Sequence, residues 1–200
     1  MLPKKKPAKP VLTHKKAAVE VLSTKVAFDG PLFRVLSEEV REPGNKISRR
    51  DIIRHNGSVV ILAIDDVSKK DPLVVMERQY RHAAGQYLWE VPAGKMDEGE
   101  ERLAAAKREL KEETGYRAKK WTKLVRYFAS PGFLGEWMQV FLAEGLTAGE
   151  PEPEEDEHLE VVQVPLSEIV QMIEEGKILD GKTIISVLLF THLRAKKKKR

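Results

Sequence analysis

The chain has 200 residues, a formal net charge of +4 and no cysteine. This length fits one domain with a substantial core, or a domain with an extension. The lack of cysteine excludes a disulfide framework, a thiol nucleophile and a cysteine zinc site, and it agrees with a reducing compartment. No apolar run approaches the roughly 20 residues of a membrane span, and no signal-peptide core follows the N-terminus. We therefore expect a soluble cytoplasmic protein.

The positive charge is concentrated at the two ends of the chain. Residues 1–16 hold six lysines, and residues 194–200 hold two arginines and four lysines, without an acid in either segment. Subtracting these 12 basic residues from 35 leaves 23 against 31 acidic residues, a balance of −8. Because a nucleic-acid-binding body is expected to be basic, contact with nucleic acid is expected only through the basic ends.

The N-terminal quarter predicts a tail followed by strands. Residues 1–18 combine proline, lysine and alanine with little apolar periodicity, which is typical of a disordered basic tail. Residues 19–40 alternate apolar and polar side chains around a turn at Asp29, Gly30 and Pro31, which predicts a hairpin. Residues 41–50 are rich in turn formers and predict a connection.

Two further strands are predicted over residues 51–65, separated by Asn56 and Gly57. The run Ser58–Ile64 is almost entirely apolar and is the best candidate for a central buried strand. Another apolar run, residues 73–76, leads into charged residues that end at Arg81. Charges that close an apolar strand often mark the place where a buried element reaches a site.

Residues 102–114 predict a helix with two different faces. Glu109, Glu112 and Glu113 are spaced i, i+3 and i+4, so their carboxylates share one face. A second face is predicted to be apolar and to pack on the core, and it carries Leu103, Ala106 and Leu110. Clustered carboxylates repel one another unless a cation compensates, and oxygen ligands suit Mg²⁺ or Mn²⁺. The acidic face is therefore predicted to be a divalent-metal site that points away from the core.

The residues around this helix resemble the Nudix box. The resemblance lies in Gly94, in Glu100 and in the run from Arg108 to Tyr116, with an aromatic Tyr116 where an aliphatic residue is commoner. It implies an α/β (α+β) fold, namely a Nudix-type α/β/α sandwich with a mixed sheet, here with an N-terminal β extension. It also implies hydrolysis of a nucleoside diphosphate linked to another group.

The resemblance further implies roles for single residues in the box. Glu109, Glu112 and Glu113 would be metal ligands, with Glu100 as an outer or additional ligand, and Glu113 would also be catalytic. Arg108 would orient the acidic cluster through ion pairs. Mg²⁺ is the expected metal, with Mn²⁺ as an alternative.

Residues 78–94 resemble the ADP-ribose pyrophosphatase subgroup of the family. In that subgroup Arg81 would lie near a substrate phosphate or ribose, Glu90 would lie beside the substrate, and Ala93 would offer its carbonyl to metal. Pro131, in a Ser-Pro-Gly segment after the box, also matches the subgroup by its spacing and would contact the substrate.

The acidic loop at residues 149–157 contains the general base that the resemblance implies. Its best match to the subgroup is Glu157, followed by His158 and Leu159. Glu155 and Asp156 remain alternatives for the same role.

The resemblance implies that ADP-ribose and water give AMP and ribose 5-phosphate. The alternatives are GDP-mannose or another nucleotide sugar, since the box does not distinguish base or sugar, and a non-catalytic module that binds nucleotide or RNA. The subgroup also implies a homodimer, in which the N-terminal strands of a partner subunit complete the adenine site. Phe28 and Phe33 are the candidates for the adenine wall.

The last part of the chain predicts a short strand and two helices. Ser167 is a reasonable N-cap for a helix that places Ile169, Val170 and Ile173 towards the core, and residues 180–194 predict the final helix. We thus expect four regions: a tail (1–18), a β extension that dimerises (19–50), a catalytic domain (51–195) and a basic tail (196–200).

Overall fold

A computed structural model of the chain describes residues 19–31, 33–152 and 158–198. The predicted tail at 1–18 and the three candidate base residues at 155–157 lie outside the described residues. The chain divides into two compact units, of which the first ends at Ile53 and the second begins at Arg54.

The described residues form a β-rich chain with three α-helices and one short 3₁₀ turn at His82–Ala84. In chain order the strands and helices are β1 (Glu20–Asp29), β2 (Arg34–Glu42), β3 (Lys46–Ile53), β4 (Ser58–Ile64), β5 (Leu73–Arg81), β6 (Gln86–Glu90), β7 (Ala93–Lys95), α1 (Arg102–Thr114), β8 (Arg117–Phe128), β9 (Trp137–Thr147), β10 (Glu160–Pro165), α2 (Leu166–Glu174) and α3 (Gly181–Lys198). In the described part of the chain, no helix is long and apolar enough to cross a membrane.

The first unit is an antiparallel sheet in the order β1, β2, β3. The predicted hairpin is confirmed, and the Gly30 N–H donates to the Phe33 carbonyl at 3.1 Å to close its turn. The prediction of a long connection over residues 41–50 is wrong, because β2 continues to Glu42 and β3 begins at Lys46. Gly44 and Asn45, with positive φ of 86° and 63°, make this tight reversal possible.

The second unit is built on a mixed sheet in the order β10, β5, β4, β9, β8, with β6 added to β5 and β7 to β4. The pairing of β4 with β9 is parallel and the other pairings are antiparallel. Every residue of β4 is buried, which confirms the prediction of a central strand over Ser58–Ile64. The two strands predicted on either side of Asn56 do form, but β3 pairs with β2 and β4 belongs to this second sheet.

Two apolar cores lie on opposite faces of this sheet. One contains Val60, Leu62 and Ile64 of β4 and packs against residues of α2 and α3. The other contains Val59 and Ile61 and packs against residues of α1. Because alternate side chains of a strand point to opposite faces, β4 contributes to both cores. The expected α/β/α sandwich with a mixed sheet is confirmed.

Helix α1 packs differently from the predicted pattern. Ala106 and Leu110 are buried as expected, but Leu103 is 37% exposed and Ala105 is fully buried instead. The helix is therefore rotated towards its acidic side relative to the prediction. As a result the prediction that the acids point away from the core is wrong for Glu109 and Glu113, which are 8% and 4% exposed.

The C-terminal helices also differ in detail. Ser167 lies inside α2 and is not its N-cap. The Asp71 carboxylate instead accepts hydrogen bonds from the Ser167 N–H at 2.9 Å and from its hydroxyl at 2.6 Å, so the cap comes from a loop 96 residues earlier in the chain. Helix α3 continues to Lys198, beyond the predicted end at Arg194.

Candidate functional site

The site begins where β7 meets α1. Gly94 pairs with Val59 of β4, and its Cα faces the side chain of Glu109. A β-carbon at residue 94 would lie 2.0 Å from Glu109 Cδ and 2.2 Å from either carboxylate oxygen. Only glycine leaves room for a carboxylate this close to the strand. This contact explains the glycine at the start of the box by packing, in addition to the tight turn that the sequence indicates.

Glu113 lies one helical turn further along α1, against the same strand. Its Oε2 accepts a hydrogen bond from the Ala93 N–H at 3.1 Å, and the residue is 4% exposed. Glu109 and Glu113 are four residues apart, so one face of the helix presents both carboxylates to β7. Ala93, the first residue of β7, is thus joined directly to the last turn of α1.

Arg108 holds the other acids of the box together. Its Nε and Nη2 donate to the two Glu100 carboxylate oxygens, each at 3.0 Å. Its Nη1 lies 2.8 Å from Glu109 Oε1 and 3.0 Å from Glu112 Oε2, and Nη2 also donates to the Lys95 carbonyl at 3.2 Å. One guanidinium therefore compensates three carboxylates and fixes the loop before α1.

These contacts shift the titration of both partners. The hydrogen bonds from Arg108 hold the pKa of Glu100 below its ordinary value, against a smaller opposing effect of burial. The hydrogen bonds to Glu100, with the charge of Glu109 and the hydrogen bonds to Glu112 and Glu109, raise the pKa of the Arg108 guanidinium against the opposing effect of burial. Glu100 is accordingly ionised at neutral pH, as the orientation role inferred for Arg108 requires.

The donor set suits a hard divalent cation, but the ligands are not assembled as one group. In the described residues, no three side chains among histidine, cysteine, aspartate and glutamate converge on a common point. Arg108 instead draws Glu100, Glu109 and Glu112 towards its own guanidinium. Carboxylate oxygens are the ligands that Mg²⁺ prefers. The residues present therefore fit a metal by their chemistry.

A second charged cluster lies on β5 and β6. The Arg81 guanidinium donates to both oxygens of Glu90, from Nε at 2.8 Å and from Nη2 at 2.6 Å. Lys182 of α3 contacts the same carboxylate through its Nζ. The Glu90 side chain is 1% exposed, whereas that of Arg81 is 38% exposed. The structure thus brings together Arg81 and Glu90, which the subgroup resemblance associates with substrate.

The pKa of Glu90 reflects this environment. Burial of the carboxylate alone would raise the pKa, because it disfavours the charged form. The hydrogen bonds and charges of Arg81 and Lys182 outweigh burial, and the pKa of Glu90 lies below its ordinary value. Glu77, which is fully buried, lies directly opposite Glu90 on the neighbouring strand and adds negative charge near Arg81.

The first turn of α3 holds the segment between the two clusters. The Thr183 Oγ1 accepts a hydrogen bond from the Val91 N–H at 2.8 Å and donates to Asp180 Oδ2 at 2.6 Å. The Thr183 N–H also donates to Asp180 Oδ2, at 2.9 Å, so Asp180 caps the helix. Val91 follows Glu90 and stands two residues before Ala93, and α3 therefore anchors the chain between Glu90 and the box.

A cavity of about 630 Å³ opens beside the loop that precedes α1. Its lining includes Glu100, Arg102 and Trp137, and the Arg102 guanidinium lies 4.9 Å from the centre of the Trp137 ring. Such a cavity is of ligand size. Glu109, Glu112 and Glu113 are not among its lining residues, so it borders the box loop and not the centre of the acidic helix face.

The other predicted site residues lie elsewhere in the described chain. Pro131 is exposed in the turn between β8 and β9, which the Leu134 N–H closes by donating to the Ser130 carbonyl at 3.0 Å. Phe28 and Phe33 belong to the first unit, where their ring centroids are 5.8 Å apart and both side chains are exposed. Their relation to the box therefore stays a prediction.

The acidic loop is tied to the box at Glu152. The Glu152 N–H donates to the Glu112 carbonyl at 2.8 Å, and the Glu152 carboxylate pairs with Lys111 at 2.5 Å. Both contacts are to the last turn of α1. They place the residue just before 153–157 next to the helix that carries the acids.

Sequence reasoning missed Lys182, Thr183 and Asp180. The sequence does carry a signal for Lys182. Lys182, Ser186 and Phe190 are spaced four residues apart, so a charged residue falls on the face of α3 that also carries a core aromatic. A lysine on an apolar helix face needs a buried acidic partner, and Glu90 is that partner. The sequence alone does not identify which acid it is.

The fold and the site define a class of protein in which one helix presents carboxylates to a glycine-bearing strand of a mixed sheet. The model of the family described as the NUDIX domain matches residues 54–185. The chain therefore belongs to the NUDIX domain family and is a Nudix hydrolase.

Several known proteins are similar to the chain. An ADP-ribose pyrophosphatase of Bacillus subtilis is 40% identical over 162 residues, which cover 80% of this chain and 85% of that protein. A GDP-mannose pyrophosphatase of Cronobacter sakazakii is 32% identical over 183 residues, which cover 80% and 92% respectively. A solved structure described as an ADP compounds hydrolase has a TM-score of 0.76 at 21% identity, covers 94% of this chain and 98% of its own, and supports the fold alone.

Proposed function

We propose that the protein hydrolyses the diphosphate bond of ADP-ribose, giving AMP and ribose 5-phosphate. The observation that carries the proposal is the placement of Glu109 and Glu113 on the buried face of α1, against β7. The choice of ADP-ribose is supported by the 40% identity to an ADP-ribose pyrophosphatase. Water is the nucleophile, and the bond that breaks joins one phosphorus to the bridging oxygen.

The proposed cofactor is Mg²⁺, with Mn²⁺ able to replace it. Glu109, Glu112 and Glu113 would hold the metal, Glu100 would act as an additional or outer ligand, and the Ala93 carbonyl would contribute one oxygen. A bound divalent cation supplies neutralisation of phosphate charge and lowers the pKa of a bound water. Gly94 supports this assignment, because its missing side chain leaves room for the Glu109 carboxylate beside the strand.

The protein's own charged groups orient the acids and the substrate. Arg108 forms ion pairs with Glu100, Glu109 and Glu112. Its positive charge offsets the repulsion among the three carboxylates and keeps them together. Arg81 would donate to a phosphate oxygen or the ribose from the exposed part of its guanidinium. Glu90 would lie beside the substrate and keep Arg81 in place through its two hydrogen bonds.

A loop carboxylate would remove the proton from the attacking water. Glu157 is the proposed base, with Glu155 and Asp156 as alternatives. The support is the attachment of Glu152, the described residue that precedes 153–157, to the last turn of α1. A carboxylate base works near neutral pH only if it stays ionised, and nearby cations favour the ionised form.

The first unit is proposed to dimerise, and Phe28 and Pro131 are proposed substrate contacts. Exposed apolar side chains on its strands support an interface, including Val21, Val26 and Ile47 at 49%, 53% and 56% exposure. Light scattering over a range of concentrations tests the proposal, and a mass that stays monomeric would refute it. The proposed setting is the cytoplasm, which the cysteine-free composition supports.

The experiment that tests the function compares ADP-ribose with GDP-mannose at saturating Mg²⁺. Wild type should release AMP from ADP-ribose with the higher kcat/KM, and Glu113→Gln should lose activity by about 100-fold or more, since a neutral amide is a poor ligand. Glu174→Gln, an exposed acid on α2, is the matched control and should keep wild-type activity. Failure of wild type to hydrolyse ADP-ribose refutes the proposal.

A second candidate is hydrolysis of GDP-mannose or another nucleotide sugar. The observation in its favour is the 32% identity to a GDP-mannose pyrophosphatase over most of the chain. The same substrate panel distinguishes the two, because the better substrate has the larger kcat/KM. Binding of ADP-ribose or RNA without turnover of either substrate would instead favour the non-catalytic module.

A further inference from the structure

Lys182 shares the carboxylate of Glu90 with Arg81, from the interior of the protein. Its side chain is 8% exposed, and its Nζ contacts Glu90 Oε2 and lies 3.2 Å from Asp180 Oδ1. Arg81 meets the same carboxylate from the outer side, with a side chain that is 38% exposed. One buried acid is thus held between a buried lysine and a partly exposed arginine.

This arrangement bears on the charge that Arg81 presents to solvent. A guanidinium that alone compensates a buried carboxylate has its charge largely neutralised by it. With Lys182 as a second cation, the Glu90 carboxylate is shared between two positive charges, while Glu77 and Asp180 add negative charge near Arg81. Asp180, the other acid that contacts Lys182, also accepts two hydrogen bonds from Thr183 at the first turn of α3, where the helix dipole favours its negative charge.

The geometry of Arg81 leaves one donor group available. Nε and Nη2 are directed to Glu90, whereas Nη1 makes no hydrogen bond to any residue within 19–31, 33–152 or 158–198. A guanidinium fixed by two of its nitrogens presents the third in a defined direction. Such a donor suits a phosphate oxygen.

We propose that Lys182 is a positioning residue for Arg81. It anchors the Glu90 carboxylate from inside and takes up part of its charge, so that Arg81 keeps both its orientation and its affinity for an anionic substrate. Thr183 helps to hold the chain next to Glu90, because its Oγ1 accepts a hydrogen bond from the Val91 N–H. The inference rests on the proposed function, because it assumes that Arg81 binds the diphosphate substrate.

A double-mutant cycle tests the proposal, with Lys182→Met, Glu90→Gln and the pair of substitutions. The affinity for ADP-ribose is measured by calorimetry in EDTA, and kcat and KM are measured with Mg²⁺. Lys182→Met should weaken binding and raise KM by about tenfold, with kcat changed less than about threefold, the loss expected for one phosphate contact. In the Glu90→Gln background, where the shared Glu90 charge is absent, Lys182→Met should change binding by less than about twofold.

Equal losses in the two backgrounds would show a merely structural role and overturn the proposal. Lys177→Met is the control, since Lys177 is an exposed lysine that pairs with Glu175 at 2.6 Å, and it should behave as wild type. Lys182→Gln repeats the cycle if Lys182→Met does not fold, as judged by its thermal unfolding.

A spectroscopic readout separates this inference from the proposed function. The Nε–H resonance of Arg81 in a nitrogen-edited NMR spectrum should shift in Lys182→Met and keep its position in Lys177→Met, without any substrate present. An unchanged resonance overturns the positioning role even if ADP-ribose is hydrolysed. A shifted resonance in a protein that neither binds nor hydrolyses ADP-ribose would refute the substrate assignment, and with it the part of the inference that concerns affinity.

Discussion

Gly94 and Glu109 face each other so closely that a β-carbon on residue 94 would lie 2.0 Å from Glu109 Cδ. The contact joins strand β7 to helix α1 at the residue proposed to bind metal. It makes the glycine a requirement of packing, because no side chain can share this space with the carboxylate.

The substitution Gly94→Ala should therefore displace Glu109 and lower kcat/KM for ADP-ribose by about 100-fold, while the fold is retained. Steady-state kinetics and circular dichroism measure the two effects. Gly181→Ala is the matched control, since a β-carbon at residue 181 would meet nothing within 4 Å. Wild-type kinetics in Gly94→Ala would contradict the proposed role of Glu109.

Arg108→Lys should lower kcat/KM by about 10- to 100-fold. Arg108 contacts Glu100, Glu109 and Glu112 and also the Lys95 carbonyl, and an ammonium cannot reproduce this planar set of donors. The measurement is kcat/KM at several Mg²⁺ concentrations. Lys107→Arg, on the exposed side of the same helix, should leave the kinetics unchanged, and an equal loss there would point to a general effect on α1.

Glu90→Gln should destabilise the protein by about 3 kcal/mol at pH 7, because Arg81 and Lys182 lose their buried partner. The pKa of Glu90 lies below its ordinary value of 4.5 in the folded protein. Its stabilisation is therefore complete above that value and is lost as the pH falls through the folded pKa. Denaturant unfolding from pH 7 to pH 3 should show the difference between wild type and variant narrowing below pH 4.5.

The control for this series is Glu174→Gln, which changes an exposed acid and should alter the free energy of unfolding by less than about 0.5 kcal/mol throughout. A difference between wild type and Glu90→Gln that stays constant with pH would show that the carboxylate charge is not what stabilises the cluster.

Gly115→Ala should destabilise the protein more than the same change at Gly176. Both glycines have positive φ, at 73° and 69°, so each alanine pays a backbone strain of about 1 kcal/mol. At residue 115 the β-carbon would also lie 2.3 Å from the Gly149 carbonyl oxygen, whereas at residue 176 it would meet nothing within 4 Å. Thermal unfolding of the two variants compares these effects directly.

The greater loss of stability in Gly115→Ala should be accompanied by lower activity, because residues 149–152 lead into the segment that contains the proposed base. Equal melting temperatures for the two variants would show that the loop at residues 149–152 shifts at no cost in stability. In that case the contact between Gly115 and Gly149 would not hold the loop in place.

Some features of the fold and of the site could be predicted from local sequence. The apolar run at Ser58–Ile64 predicted the central strand, and the spacing of Glu109, Glu112 and Glu113 predicted one acidic helix face. Such patterns are local, because strand and helix periodicity fix which side chains share a face. The same reasoning was wrong about the direction of the acids, since the rotation of α1 about its axis depends on what packs beneath it.

The sequence by itself determined the family, the central strand and the identity of the acids on α1. The tertiary structure alone decided that Glu109 and Glu113 are buried against β7 and that Asp71 caps α2. It also decided that Lys182 meets Glu90 across 92 residues of chain. Contacts of this kind depend on how the sheet brings distant segments together, and a charged residue on an apolar helix face indicates only that some partner must exist.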